Sequence, residues 1–162
     1  MNTPIMRFSL ASAAECGAVY EAMRSEALLP TVVYDGDLSR EDFVALVGHG
    51  IMVRMTCGMT LLGAAWLRDI HAATASLHFC FFKAGRAEAR VLGRACLRHM
   101  FSISNFQSLY GITPKPYRAA VAYITAVGGR VMGEVAGACV LHHRGGRIVP
   151  AIISTFNRKE YV

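Results

Sequence analysis

The chain switches between two hydrophobic periods, one helical and one extended. Over residues 12 to 28, Cys16, Val19, Tyr20 and Met23 recur at three- and four-residue spacing, which predicts a helix capped by Ser12 and closed by Pro30. A second helix start is written in "LSREDF": Ser39 is the cap, Asp42 follows three residues later, and Leu38 can pack on Phe43. Gly48 or Gly50 would end it. A third helix is expected over residues 86 to 102, with Val91, Leu92, Ala95, Cys96, His99 and Met100 facing inward. A fourth runs from Tyr117 to about Val127 and stops at Gly128-Gly129.

Strands fill the intervals. "MRFSLAS" is a short one near the start, and residues 51 to 70 form two more about a tight Cys57-Gly58 turn. After a linker at 71 to 75 comes "SLHFCFF"; later, "FQSLYGIT" runs into "PKP". "GACVLHHRGGRIVPAIISTF" predicts a final hairpin about the Arg-Gly-Gly-Arg turn. The order is therefore strand, two helices, three strands, helix, strand, helix, two strands. With no internal repeat and no long linker, one α/β domain over residues 1 to 162 is expected.

Composition narrows the picture. The chain is 54% hydrophobic and 17% charged, with a net charge of +6, which favours an anionic partner: nucleic acid, a membrane surface or a phosphate-rich cofactor. Its five cysteines, Cys16, Cys57, Cys80, Cys96 and Cys139, include no CxxC, so reduced thiols, a cytoplasmic setting and no metal framework are expected. "MNTPIMRFSLAS" lacks the basic and apolar blocks of a signal peptide, and no run approaches the ~20 apolar residues of a membrane span.

The chemically telling stretch is "FFKAGRAEARVLGRACLRHMF", residues 81 to 101. An apolar strand enters a one-glycine turn and then a helix whose first turn carries Arg86 and Arg90. A helix N-terminus is already partly positive, so these arginines want an anion nearby. Small residues at 84, 85, 87 and 89 would let one approach the backbone, where first-turn N–H groups are free. A pyrophosphate would fit that need. The bland alternative is that Arg86, Arg90, Arg94 and Arg98, at four-residue spacing, form a solvated face. Nucleic-acid binding through that stripe is the weaker rival, because it lacks interleaved aromatics.

The element order and this turn resemble the GNAT superfamily of acetyl-CoA-dependent N-acetyltransferases. That family's turn reads Gln/Arg-x-x-Gly-x-Gly/Ala. Phe82-Lys83-Ala84-Gly85-Arg86-Ala87 occupies the slot, with Gly85 and Ala87 matching and Phe82 in place of Gln/Arg. "GITPKPYRAAVAYITAVGGRVMGEVAG" is similar to a second family segment, matching at Ala120, Gly128 and Gly133; Tyr117 replaces the usual Asn, Gly129 the usual Phe, and Ile124 the frequent catalytic Tyr. "STFNRKEY" is similar to the protein N-terminal (ribosomal-type) branch, and there is a looser likeness to small phage-encoded members.

The resemblance implies a mixed, mostly antiparallel sheet flanked by helices, with acetyl-CoA as co-substrate. It implies cofactor contacts from Phe81, Phe82, Lys83, Gly85, Arg86, Ala87, Glu88, Ala89 and Arg90, and a backbone N–H around Phe79 to Phe82 that polarises the acetyl carbonyl. For the base, His78 shares a strand face with Ser76 and Cys80; His71 and Glu26 are weaker candidates. Tyr123, one residue from the family position, and Tyr117 are candidate acids. Cys80 and Trp66 read as core, and His142-His143, alternating across a strand, cannot chelate one metal. The expected activity is acetylation of a primary amine on a small molecule or protein. A catalytically inactive binding module of the same fold is the alternative, and a homodimer is left open.

Overall fold

A computed structural model describes residues 5–34 and 36–162. Residues 1 to 4 of the N-terminal stretch considered above lie outside the described residues. The strands are β1 (Met6–Leu10), β2 (Met52–Cys57), β3 (Thr60–His71), β4 (Thr74–Phe81), β5 (Ser108–Pro114), β6 (Arg130–Leu141) and β7 (Arg147–Asn157). The helices are α1 (Ala13–Ser25), the single turn α2 (Leu29–Val32), α3 (Arg40–Gly48), α4 (Ala89–Ser102) and α5 (Arg118–Ala126). One sheet runs in the order β1-β2-β3-β4-β5-β7-β6, and its only parallel pair among these is β4 with β5.

The caps behave as the side-chain chemistry requires. Ser12 accepts from the Glu15 N–H while Glu15 accepts from the Ser12 N–H, a reciprocal box, and Ser39 accepts from the Asp42 N–H at 3.0 Å. Pro30 does not close α1. It sits in the first turn of α2, where its missing N–H costs nothing, and α1 has already ended at Glu26 and the left-handed Ala27 (φ 55°).

Two apolar layers sandwich the sheet. On one side α1 and α3 cover Met52, Ala64, Trp66, Cys80 and Phe82. On the other α4 packs over Val53, Met55, Leu67, Leu77 and Leu109. The inward stripe of α4 is Leu92, Gly93, Cys96, Leu97, Met100 and Phe101; Val91, expected inside, is 56% exposed. Gly93 explains the shift. The Tyr123 hydroxyl lies where a side chain at 93 would go, so that face meets α5 although it carries no bulk of its own.

Other expectations move by a few residues for local reasons. The linker at 71 to 75 is a hairpin turn, with His71 opposite Thr74 and a register shift after Arg68. The segment 83 to 88 is a 3-10 run, and α4 begins only at Ala89. β6 begins at Arg130, well before the expected hairpin, its register against β7 broken around Gly133 and Gly137. His142 and His143 do not alternate on a strand: they form a 3-10 turn with Arg144, ending on left-handed Gly145 and Gly146. No group of three or more potential metal ligands occurs among the described residues, and none of its helices is long and apolar enough to cross a membrane.

Candidate active site

β4 and β5 begin as neighbours and then part. Their pairing runs from Thr74–Ser108 to Ser76–Tyr110 and stops, although β4 continues to Phe81 and β5 to Pro114. The gap opens into a cleft of about 460 Å³. Its walls are Leu77, Phe79 and Phe81 of β4, Gly111 and Thr113 of β5, Ser154 and Phe156 of β7, and Ala119, Ala120, Tyr123 and Ile124 of α5. Arg86, Ala89 and, from the α1–α2 connection, Leu28 complete the lining.

The backbone of β4 supplies donors to this gap. Phe82 gives its N–H to Leu62 O of β3 at 3.0 Å, and the β3–β4 register holds without a break from Gly63–Phe81 to Leu67–Leu77. In an antiparallel ladder successive N–H groups point to opposite edges. Those of Cys80 and His78 therefore face β3, while those of Phe79 and Phe81 face the gap. The Lys83 N–H, on the same parity, meets the Glu26 carboxylate at 2.8 and 3.0 Å. Arg86 also donates to Glu26, at 3.0 Å. The negative partner demanded by the arginine-bearing turn is, in the protein alone, this glutamate from the end of α1.

The residues singled out in the sequence divide sharply. Lys83, Arg86, Ala87, Glu88 and Arg90 are exposed along the 3-10 turn and the start of α4, with Ala89 half-buried at the cleft. Phe81 lines the cleft. Phe82 and Gly85 turn away: Phe82 is buried among the residues under α1, and Gly85 is buried against β3. A Cβ at 85 would overlap Leu62 O and lie 2.8 Å from its carbonyl carbon. The smallness expected to admit a ligand here admits the neighbouring strand.

Tyr123 lies within the cleft, edge-on to Phe79 and Phe81 with centroids 5.7 and 5.3 Å away, and its hydroxyl donates to Ala89 O at 3.1 Å. Burial, with Cys96 and Tyr161 adding, holds that hydroxyl far above the usual tyrosine range, so it stays protonated. His78 sits on the opposite face of β4, stacked on Trp66 at 5.6 Å, beside a small cavity of about 30 Å³ that Tyr34 and Arg68 also line. Tyr117 is outside the cleft lining: it packs edge-on against Tyr34, under Arg144, with its hydroxyl 3.4 Å from His143 Nε2. His71 is at the far hairpin. Cys80 is buried, and burial foremost, with Glu26 adding and Arg86 opposing, pushes its thiol up to about 12. Of the arginine stripe, Arg86 is paired with Glu26 and Arg94 lies over the Tyr161 ring, which breaks it as a continuous cationic face.

Several lining residues had no local signal. Leu28, Ser154 and Phe156 reach the cleft from distant elements, and Tyr34 bridges halves of the chain by accepting from the His142 N–H through its carbonyl.

Comparison with solved structures bears directly on this sheet, in which the parallel pair β4 and β5 splays. Spermidine N-acetyltransferase from Vibrio cholerae, solved with CoA and spermine, superposes with a TM-score of 0.79 at 13% identity, over 96% of this chain and 97% of that one. The protein yncA of Salmonella typhimurium, solved with its cofactor acetyl-CoA, gives 0.73 at 15% identity, over 97% and 96%. Ribosomal-protein-S5-alanine acetyltransferase from Vibrio fischeri gives 0.74 at 11% identity, over 100% and 98%. The fold is the GNAT fold. No protein-family model matches the chain and no curated protein matches it, so the likeness is carried by shape, and within the GNAT fold the β4–β5 gap and the 83–90 turn are the features to explain.

Proposed function

We propose that the protein moves an acetyl group from acetyl-CoA to a primary amine, within one domain spanning residues 1 to 162. The observation that carries this reading is the β4–β5 gap, where the Phe79 and Phe81 N–H groups point into a cleft walled by aromatics. Acetyl-CoA-bound and CoA-bound neighbours of the same fold support it. The residues present fit such a co-substrate: a mostly apolar cleft for its pantetheine arm, and a cationic turn at Lys83, Arg86 and Arg90 for its phosphates.

Bound there, acetyl-CoA would supply the acetyl group as a thioester. The Phe79 N–H, fixed by the β3 ladder, is placed to polarise a carbonyl, and a preorganised backbone donor in a cleft is worth more than the same donor in water. Tyr123, kept protonated, is the proposed acid for a departing thiolate. Lys83, Ala87, Glu88 and Ala89 would present the phosphate-facing surface with Arg86 and Arg90, while Phe81 lines the cleft. Phe82 and Gly85 would contribute indirectly by fixing the turn on β3. His78, on the side of the sheet covered by α2 and Tyr34, is the proposed base for an amine arriving from there, and Tyr117 is the second candidate acid.

Titration calorimetry with coenzyme A should give saturable binding. Release of free thiol from acetyl-CoA should then depend on an added amine, tested across polyamines, amino acids and peptides with free N-termini. A flat titration at millimolar ligand would sink the reading. Saturable binding with no thiol release for any amine would favour the inactive binding module.

A further inference from the structure

We propose that Glu26 is a latch on the phosphate end of the cleft, an internal anion that an incoming diphosphate must displace. The proposal rests on the acetyl-CoA reading. Glu26 accepts from the Lys83 N–H at 2.8 and 3.0 Å and from Arg86 at 3.0 Å. Those donors face the gap: the Lys83 N–H continues the parity of Phe79 and Phe81, and Arg86 lines the cleft itself.

A carboxylate and a phosphate are both acceptor-only anions that want the same charged and backbone donors. They cannot share them without bringing two negative charges together. The chain is built to make the first one available. Glu26 ends α1, Ala27 takes a left-handed turn (φ 55°), and Leu28 then lies on the cleft wall, so this connection crosses the mouth. Glu26 is 57 residues from Lys83 in sequence, so the contact owes nothing to local geometry.

The latch is a weak one. The Glu26 side chain is 27% exposed and that of Arg86 52%, and such solvent-reached pairs hold little free energy. When a protein binds only in its unlatched form, apparent affinity falls by the unlatched fraction. The latch thus lowers affinity by the same factor for every ligand that must open it, and a diphosphate is a ligand whose own charge then takes over Lys83 and Arg86.

Glu26→Gln keeps the shape and removes the charge. The unliganded protein is first checked by melting temperature, with Glu26→Ala as a second variant should the first fold poorly. Calorimetry and stopped-flow with coenzyme A should show binding tightened about three- to tenfold, with the gain in association rate and little change in dissociation rate. Arg86→Ala should cost more affinity in the Glu26→Gln background than in the wild type, because in the wild type it also frees the latch. If the wild type binds and Glu26→Gln binds no faster or more weakly, the latch is refuted while the acetyl-CoA reading stands. If neither protein titrates at millimolar coenzyme A, both fall.

Discussion

Replacing Gly85 by alanine separates two explanations of the glycine in the 83–88 turn. If it is there to let a ligand approach, Gly85→Ala should leave the unliganded protein intact and harm binding alone. The structure argues otherwise. A Cβ at 85 would overlap Leu62 O, and lie 2.8 Å from the Leu62 carbonyl carbon and 2.9 Å from its Cβ, where ordinary contact starts near 3.4 Å. Leu62 O is also the acceptor of the Phe82 N–H at 3.0 Å, so strand and turn cannot separate without losing that bond. Overpacking of this kind costs about 1–3 kcal/mol, and a weakened buried hydrogen bond adds about 1 kcal/mol. The sum is ~2–4 kcal/mol, and at roughly 2–4 °C per kcal/mol for a chain of this size the melting temperature should fall by about 4–16 °C. Differential scanning calorimetry without ligand gives the answer, with coenzyme A titration run well below the lowered midpoint. A shift under about 2 °C together with lost binding would overturn the packing argument and return Gly85 to the ligand.

Arg158→Ala should destabilise the fold by about 2–4 kcal/mol in chemical denaturation, since one Nη1 donates to Phe101 O, Ser104 O and Phe106 O at 2.7, 2.9 and 3.3 Å and its loss orphans carbonyls at the end of α4; a loss below about 0.5 kcal/mol would contradict this. Tyr123→Phe should cost about 1 kcal/mol of stability for the bond to Ala89 O and lower turnover with little change in coenzyme A affinity; unchanged turnover would remove it as the acid. Alkaline stability should decline, because burial raises the Cys80 and Cys96 thiols from 9.0 to about 12: the folded state keeps these protons longer, so its advantage is complete below about pH 9 and is lost as pH climbs toward 12. Cys96→Ala should flatten that decline, measured as unfolding free energy against pH, and an unaltered slope would refute the assignment. Arg90→Ala should weaken coenzyme A binding about tenfold, while Arg94→Ala, whose guanidinium lies 5.9 Å from the Tyr161 ring centroid, should leave it nearly unchanged; equal effects would mark both as surface charge.

The sequence by itself determined what depends on neighbours within a few residues. The Ser12 and Ser39 caps, the Cys57-Gly58 and Arg-Gly-Gly-Arg turns, and the order of strands and helices are local chemistry, and they sufficed to bring out the GNAT resemblance and to point to residues 83 to 90. Only the tertiary structure decided which way those groups face. Strand parity was legible in "SLHFCFF", yet nothing in it says that β4 parts from β5 after Ser76, which makes the Phe79 and Phe81 donors available, or that the cleft opens on the face opposite His78. Val91 looks as apolar as Leu92, but the inward face of α4 is set by Tyr123 seating over Gly93, a contact between elements 30 residues apart. The glycine of the turn is small for Leu62, and its arginine is answered by Glu26, because long-range packing brings β3 and the end of α1 to that spot. Periodicity reports which residues seek burial or a partner; the partner itself is chosen by contacts that local sequence does not encode.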